Sequence, residues 1–244
     1  DPRDPPSYVQ GVCPSCAPHT NKSIATQKSV SNLTDASNTP GDVLEYTVNF
    51  QVSDFFAFGS VVITDTFSDG QRFQTTFTPT LQINGYTYTL ATADMNIANF
   101  TLDTSQILTT GVPADGSDGS TTITFRVSDE IITRGESGSL IGGCIDTATN
   151  SLFAPCNPAF PREGATTGVI KFHTIIQDQF SDTYPSGDPS VDHGDILTNT
   201  VTIRGALLEV PGLTANGNTQ TDGSSASVSI AFGVLTKTIY AING

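Results

Sequence analysis

The chain has 244 residues and a formal net charge of −14 with only 10 Lys and Arg, and it contains no Trp and one Met. So few basic residues argue against nucleic acid or an anionic membrane surface as a partner, since both are bound through basic patches. No apolar run reaches the length of a membrane span, and the composition favours strands and turns over helices. We expect a secreted all-β protein whose export signal has been removed or lies outside this sequence.

The chain begins with a Pro-rich, polar stretch over residues 1–20, which predicts an extended N-terminal arm or linker. This stretch contains Cys13 and Cys16, and a second pair, Cys144 and Cys156, brackets a loop further along the chain. Four cysteines in an acidic, Thr-rich chain indicate two disulfides formed in an oxidising compartment. Three pairings are open, of which a local bridge across the second loop is the first choice. The first pair has a redox pair or half of a metal site as alternatives to a tight bridge.

Apolar and polar residues alternate in short segments that Gly and Pro separate, which predicts a β-sandwich. The predicted strands are residues 24–30, 43–52, 60–67, 71–77, 80–90, 121–127, 169–176, 196–204 and 225–232. A short helical turn is expected near residues 92–95. Residues 129–162 form a long inserted excursion that carries the second cysteine loop.

Three polar residues fall on the apolar faces of these predicted strands. Lys28 alternates with Ile24, Thr26 and Val30, Asp65 shares a face with Val61, Ile63 and Phe67, and Asn199 lies between Leu197 and Val201. A polar group on a buried face costs a few kcal/mol unless it finds a partner. We therefore expect the three side chains to interact with one another.

The segments that carry these residues resemble the repeat domains of bacterial surface proteins and pilus backbones that form internal isopeptide bonds. The similar segments are KSVSNLTDASNTPGDVLEYTVNF, VVITDTFSDG and ILTNTVTIRG. The resemblance implies an immunoglobulin-like, CnaA-like β-sandwich over residues 21–233. It also implies a crosslink between Lys28 and Asn199, with Asp65 as the acid that catalyses its formation.

The proposed chemistry also follows from burial. A buried amine is driven toward its neutral, nucleophilic form and a buried carboxylic acid toward its protonated form. Neutral Lys28 can then attack the Asn199 carboxamide while Asp65 moves the proton to departing ammonia, because folding holds the groups together at high effective concentration. Such a chain is not an enzyme, because it reacts once with itself.

Alternatives to this chemistry remain open at the sequence level. Lys28 can guard an edge strand, Asp65 can cap a turn, and Asn199 can bind neighbouring backbone. Asp178, which continues the apolar face of residues 170–176, is the rival acid. The remaining acids considered, Glu45 and Glu130, are predicted to lie on polar faces.

The last predicted strand, residues 234–244, repeats the pattern of the first strand and carries Lys237 in the position of Lys28. We interpret it as the first strand of a following repeat or as a strand donated to a neighbouring subunit. The alternative is that it completes its own sandwich. Deletion of residues 234–244 distinguishes the two.

These features predict a structural, load-bearing repeat of an extracellular, cell-surface protein or filament such as a pilus, with neighbouring repeats or identical subunits as partners. The alternative is an adhesin module that binds a host or cell-surface ligand through residues 129–162. No cofactor is expected, although acidic turns at residues 115–119 and 187–195 can supply oxygen ligands for Ca²⁺. His193 in the second turn is expected to be a turn residue.

Overall fold

The computed structural model describes residues 22–53, 56–77, 79–83, 86–89, 100–103, 119–133, 137–142, 166–182, 184–209 and 212–231. Within them the chain forms two antiparallel sheets. The first sheet consists of β1 (Ile24–Asn32), β2 (Val43–Val52), β4 (Gln71–Phe73), β5 (Thr80–Ile83), β6 (Tyr86–Thr89) and β10 (Thr167–Ile176). The second sheet consists of β3 (Ala57–Phe67), β7 (Phe100–Asp103), β8 (Thr121–Arg126), β9 (Leu140–Ile141), β11 (Ile196–Glu209) and β12 (Thr214–Ser229).

The strand order is β1-β2-β10-β5-β6 in the first sheet, where β4 also pairs with β10, and β12-β11-β3-β8-β7 in the second, where β9 also pairs with β3. The two sheets pack through one core to which the inner face of each contributes. In β2, every second residue from Leu44 to Val52 is buried, and the residues between them are partly or fully exposed. This alternation is what half-buried strands require, and the predicted β-sandwich is confirmed.

Several predicted boundaries are wrong. The single strand predicted over residues 80–90 is the antiparallel pair β5 and β6. The two residues between them are Asn84 and Gly85, a dipeptide that strongly favours a hairpin turn and that the prediction passed over. Residues 74–77 leave the sheet after β4, where the Phe77 N–H donates to the Gln74 carbonyl.

The longest strand, β12, begins eleven residues before its predicted start. Its sequence, TANGNTQTDGSSASVS, lacks an apolar stripe because it pairs with β11 alone at the edge of the second sheet. The sequence pattern was therefore weakest at an edge, where burial imposes the least alternation.

The helix α1 (Val127–Thr133) was not predicted. Asp129 and Glu130 lie in its first turn, where the helix dipole favours acidic residues. Glu130, predicted to lie on a polar face, is fully buried, because the residues follow the period of a helix rather than of a strand. At seven residues α1 is far too short to cross a membrane, and no other helix in the described ranges has the length and hydropathy to do so.

Three predicted segments lie outside the described residues: the arm at residues 1–20, the helical turn near residues 92–95 and the strand at residues 234–244. The excursion at residues 129–162 is described only in part, through α1 and β9. What the sequence indicates for these segments stays a prediction.

We predict that Gly70→Ala is more destabilising than Gly187→Ala. Both glycines have positive φ values, +80° and +92°, so any side chain costs roughly 1–2 kcal/mol of backbone strain at either position. A Cβ atom at Gly70 also meets Phe180 at 2.6 Å and Leu197 at 2.9 Å, whereas one at Gly187 has no atom of the described residues within 4 Å. Overpacking adds roughly 1–3 kcal/mol at Gly70 alone. Urea denaturation of both variants measures the difference, and equal losses of stability contradict this description of the core.

Candidate buried amine, acid and amide site

The three polar residues predicted to interact lie between the two sheets. Lys28 is on β1 of the first sheet, whereas Asp65 on β3 and Asn199 on β11 are on adjacent strands of the second. In the register of β3 and β11, Asp65 pairs with Val201 and Asn199 pairs with Phe67. Asp65 and Asn199 are thus diagonal neighbours on the inner face of one sheet, within reach of each other's side chains.

The Lys28 ammonium forms an ion pair with Asp65 Oδ2, and neither side chain exposes any surface to solvent. The Lys28 Nζ atom also lies 4.7 Å from the centre of the Tyr46 ring and 4.9 Å from that of Phe172. These two rings stack on each other with a centroid separation of 5.4 Å. Lys28 Nζ therefore lies against two aromatic rings and pairs with the carboxylate of Asp65.

Burial dominates the protonation of this pair. It lowers the pKa of Lys28, against the attraction of Asp65, and it raises the pKa of Asp65, against the attraction of Lys28 and a contribution from Asn199. Both shifts favour the uncharged forms, because an ion loses more solvation on burial than one partner returns. The pair is therefore biased toward a neutral amine beside a protonated carboxylic acid.

Asn199 is fully buried, and neither polar atom of its carboxamide makes a hydrogen bond of ordinary length and angle with the described residues. Asp65 Oδ1 also lacks such a bond. The carboxamide nevertheless lies close enough to Asp65 and to the Tyr46 hydroxyl to lower the pKa of both groups, against the larger effect of their burial. Since buried polar groups are almost always hydrogen-bonded, an amide left in this state beside an amine and an acid needs an explanation.

The strand that carries Lys28 is held against β12 by side chains. Asp222 Oδ2 accepts the Thr26 N–H at 2.9 Å, and Ser224 Oγ accepts the Lys28 N–H at 3.0 Å. The Lys22 ammonium donates to Asp222 Oδ1. These bonds join the edge strands of the two sheets and fix the backbone of Lys28 relative to the strand pair that carries Asn199.

The rival acid Asp178 is exposed beyond the end of β10, so its predicted position on a buried face is wrong. Glu45 lies on the outer face of the first sheet, as its polar surroundings predicted, where it binds Lys171 at 2.8 Å and His173 at 3.3 Å. Asp65 is thus the acid that the fold places beside Lys28.

Among the acidic turns proposed for Ca²⁺, the one at residues 187–195 uses its carboxylates locally. Asp188 accepts the Ser190 N–H, Asp195 accepts the Asp192 N–H, and His193 is a turn residue, as expected. In the part of the chain that the structure describes, no three His, Cys, Asp or Glu side chains are grouped so that they could hold a metal ion. The turn at residues 115–119 falls almost wholly outside that part.

Other predicted site residues also lie outside the described ranges. They are the four cysteines, Cys13, Cys16, Cys144 and Cys156, and the lysine of the last predicted strand, Lys237. Most of the recognition loop proposed within residues 129–162 lies outside them as well.

Sequence reasoning missed the residues that surround the three predicted ones. Tyr46 and Phe172 lie on inner faces, but strand alternation alone does not indicate which apolar residues lie beside Lys28. Asp222 and Ser224 fall in a segment that was not predicted as a strand. Gln71 lies in the predicted strand at residues 71–77, and the available signal was that it shares a face with Phe73 and Phe77.

We predict that Asp222→Ala lowers stability by roughly 1.5–3 kcal/mol at neutral pH, because hydrogen bonds to a charged acceptor are lost. Partial burial disfavours ionisation of Asp222, but hydrogen bonds from Lys22 and from the N–H groups of Thr26 and Gly223 outweigh it and lower its pKa. A depressed folded-state pKa adds stability above the unfolded value of about 3.9, and this stability is lost as the pH falls through the folded-state pKa.

The difference in unfolding free energy between wild type and Asp222→Ala should therefore shrink below about pH 4. Gln220→Ala, at an exposed position on the same strand, is the control and should have little effect. Urea titrations at several pH values measure the difference. A loss of stability that is constant down to pH 2 contradicts the assignment.

Neither family models nor curated proteins gave a match to this chain. Among solved structures, it is similar to BcpA, the major pilin subunit of Bacillus cereus, at 12% identity over 85% of this chain and 39% of the pilin, with a TM-score of 0.41. It is similar to the full-length major pilin SpaD of Corynebacterium diphtheriae at 8% identity over 84% of this chain and 34% of that pilin, with a TM-score of 0.43. It is also similar to the collagen-binding subdomain of the Enterococcus faecalis surface protein ACE. The identity is 12% over 87% of this chain and 99% of the subdomain, with a TM-score of 0.37. The chain thus spans well under half the length of either pilin, and the function proposed below rests on the site.

Proposed function

We propose that this chain is a structural, load-bearing domain of an extracellular surface protein or filament, crosslinked by an isopeptide bond between Lys28 and Asn199. The observation that carries the proposal is the buried contact of Lys28 with Asp65 beside an Asn199 carboxamide that has no hydrogen-bond partner among the described residues. As unreacted groups these three lower stability, because each is desolvated and the described residues give the amide no hydrogen bond that would offset this cost. As reactants they have complementary roles.

In the reaction, neutral Lys28 Nζ attacks Cγ of Asn199, and a new N–C bond forms. Asp65 donates its proton to the carboxamide oxygen as negative charge develops there, then accepts a proton from the former amine and passes one to the Asn199 nitrogen. The Cγ–Nδ2 bond then breaks, ammonia leaves, and the oxygen returns its proton to Asp65 as the carbonyl forms again. Atoms and charge balance with no further reactant, since one amine and one amide give one amide and ammonia.

The rate of such a reaction depends on placement, because an amide is a poor electrophile. Well-oriented groups in one molecule react as though present at about 10⁵ M or more. Rigid sheets supply that placement here, since each reacting residue lies within a strand that is paired on at least one side. Folding is thus the step that permits the reaction, and each chain reacts once.

The bond would make the domain resistant to tension. It joins the first strand of the first sheet to a central strand of the second, so force entering before Lys28 passes directly to Asn199. The residues between them are then shielded from extension. A filament or surface stalk needs this property, and the predicted strand at residues 234–244 would pass the load to the next unit.

We predict that the intact chain, denatured and reduced, is lighter than its sequence mass by one ammonia. Asp65→Ala should abolish this deficit, because the proton transfer is lost while both bonding residues remain. Asp178→Ala is the matched control, since that acid is exposed and should leave the deficit unchanged. Intact-mass spectrometry checks all three chains, and a wild-type mass equal to that of the sequence rules the bond out.

We also predict that Lys28→Met, which is similar in size but cannot form the bond, unfolds at lower temperature and extends fully when pulled from its ends. A crosslink that closes a loop of 100 residues or more adds about 5 kcal/mol by the chain-entropy estimate. Lys171→Met removes a partly exposed lysine and serves as the control. Single-molecule force spectroscopy should find no extension from residues 29–198 in the control. Full extension of wild type under moderate force contradicts the mechanical role.

A further inference from the structure

The main chain of Lys28 is held by the edge strand of the opposite sheet. Its N–H donates to Ser224 Oγ on β12 at 3.0 Å, and the N–H of Thr26 donates to Asp222 Oδ2 at 2.9 Å. Both pairs are separated by 196 positions, so β1 and β12 run in the same direction and in step with each other. Asp222 and Ser224 are partly buried, whereas the residues beside them on β12 are exposed. The contacts therefore come from the inner face of the second sheet.

Ser224 occupies the same cross-strand row as Asp65. Ser224 pairs with Val201 of β11, and Val201 pairs with Asp65 of β3. Neighbouring strands lie about 4.8 Å apart, so Ser224 and Asp65 are about 10 Å apart on either side of β11. Ser224 binds the main chain of Lys28, and Asp65 binds its ammonium. One row thus holds Lys28 at both ends, and the Lys28 side chain passes over β11.

Asn199 lies beside the path of this side chain. It is two residues from Val201 on β11, and both residues are buried on the inner face of the sheet. Two residues along one face of a strand are about 7 Å apart. A lysine side chain laid over Val201 therefore runs past the carboxamide that it has to attack.

The strand that carries Asn199 is supported separately, from the first sheet. Gln71 Nε2 donates to the carbonyl of Thr198 at 3.3 Å. At its other end, Gln71 Oε1 accepts the hydroxyls of Tyr46 at 2.8 Å and of Thr174 at 3.0 Å. Gln71, Tyr46 and Thr174 are all fully buried. The placement of the electrophile thus has its own support, which does not involve Ser224.

We propose that Ser224 is a positioning residue for the crosslink. By accepting the Lys28 N–H, it holds the main chain of Lys28 on one side of β11 while Asp65 holds the amine on the other. This inference rests on the proposed crosslink and assigns it one further residue. Ser224 acts only through the main chain of Lys28 and neither gains nor loses a proton, so the balance of the reaction is unchanged.

The main-chain bond matters because Asp65 fixes only one end of Lys28. A lysine side chain is long and flexible, so its amine can stay paired with Asp65 while its Cα atom shifts. Such a shift changes the approach of Nζ to Cγ of Asn199. A displacement of about 1 Å from the productive geometry can slow a reaction about 100-fold. Loss of the Ser224 hydroxyl therefore leaves the amine beside its acid but misplaced for attack.

The first test compares Ser224→Ala with Ser225→Ala. Both variants lose one serine hydroxyl from β12, but Ser225 is exposed, on the face opposite to that of Ser224. Chains made by cell-free translation are quenched in denaturant at intervals after synthesis stops, and intact mass gives the fraction that has lost ammonia. Ser224→Ala should slow bond formation about tenfold or more. Ser225→Ala should react at the wild-type rate.

The second test separates positioning from stability. Asp222→Ala removes a charged acceptor and should destabilise the domain more than Ser224→Ala, which removes a neutral one. Asp222 binds Thr26, however, two residues before the reacting lysine. Ser224→Ala should therefore slow the crosslink more than Asp222→Ala does, although it destabilises less. Stabilities are measured in a Lys28→Met background, where no bond forms.

A third variant, Ser224→Thr, keeps the hydroxyl oxygen at this position. Threonine also suits a strand, so the bond to the Lys28 N–H should be retained. This chain should form the crosslink at the wild-type rate. A Ser224→Thr chain as slow as Ser224→Ala contradicts the inference, because the hydroxyl is then not what matters.

A Ser224→Ala chain that bonds as fast as wild type overturns the inference while the crosslink stands. Rates that follow the measured stabilities, with Asp222→Ala slower than Ser224→Ala, overturn it too, because both side chains then act only through the stability of the fold. Should wild type lose no ammonia, the proposed function itself fails, which is a distinct result.

Discussion

An amine and a carboxylic acid are buried against each other between the two sheets of this domain. Removing either ion from water costs several kcal/mol, and their mutual attraction returns that only with good geometry and further hydrogen bonds. Lys28 Nζ also lies against the rings of Tyr46 and Phe172, and within the described ranges Asp65 Oδ1 has no hydrogen-bond partner. Burial shifts both groups toward their uncharged forms, and an uncharged amine is a nucleophile. The feature that would weaken an ordinary core therefore supplies the reactivity that the proposed crosslink requires.

The surrounding fold holds the three groups of the proposed crosslink in place. Asp65 and Asn199 are fixed relative to each other by the register of β3 and β11. Lys28 belongs to the other sheet, so its position depends on contacts between sheets, which are less regular than a strand ladder. Asp222 and Ser224 supply these contacts from β12 to the backbone of β1, and Gln71 supplies a second set through Tyr46. Both sets are short-range and buried or partly buried, which suits a reaction that tolerates little displacement.

The sequence predicted the β-sandwich and the burial of Lys28, Asp65 and Asn199, because polar and apolar residues alternate in the strands that carry them, β1, β3 and β11. A polar residue on such a face is conspicuous. Prediction failed where burial imposes no alternation, as in the polar edge strand β12, and where a short helix interrupts the strands. It also missed Gln71 and Asp222, whose roles arise from contacts between strands distant in sequence. Strand period determines the face of a residue, but not its neighbour in the opposite sheet.

The most direct test of the central claim is a tryptic map of the denatured, reduced chain. Acylation of Lys28 blocks cleavage after that residue, and the crosslink joins the peptide of residues 23–72 to the peptide of residues 172–204. We predict a single branched peptide of this composition, lighter by one ammonia than its two parts. Recovery of three separate peptides, residues 23–28, 29–72 and 172–204, with normal cleavage after Lys28, would contradict the crosslink.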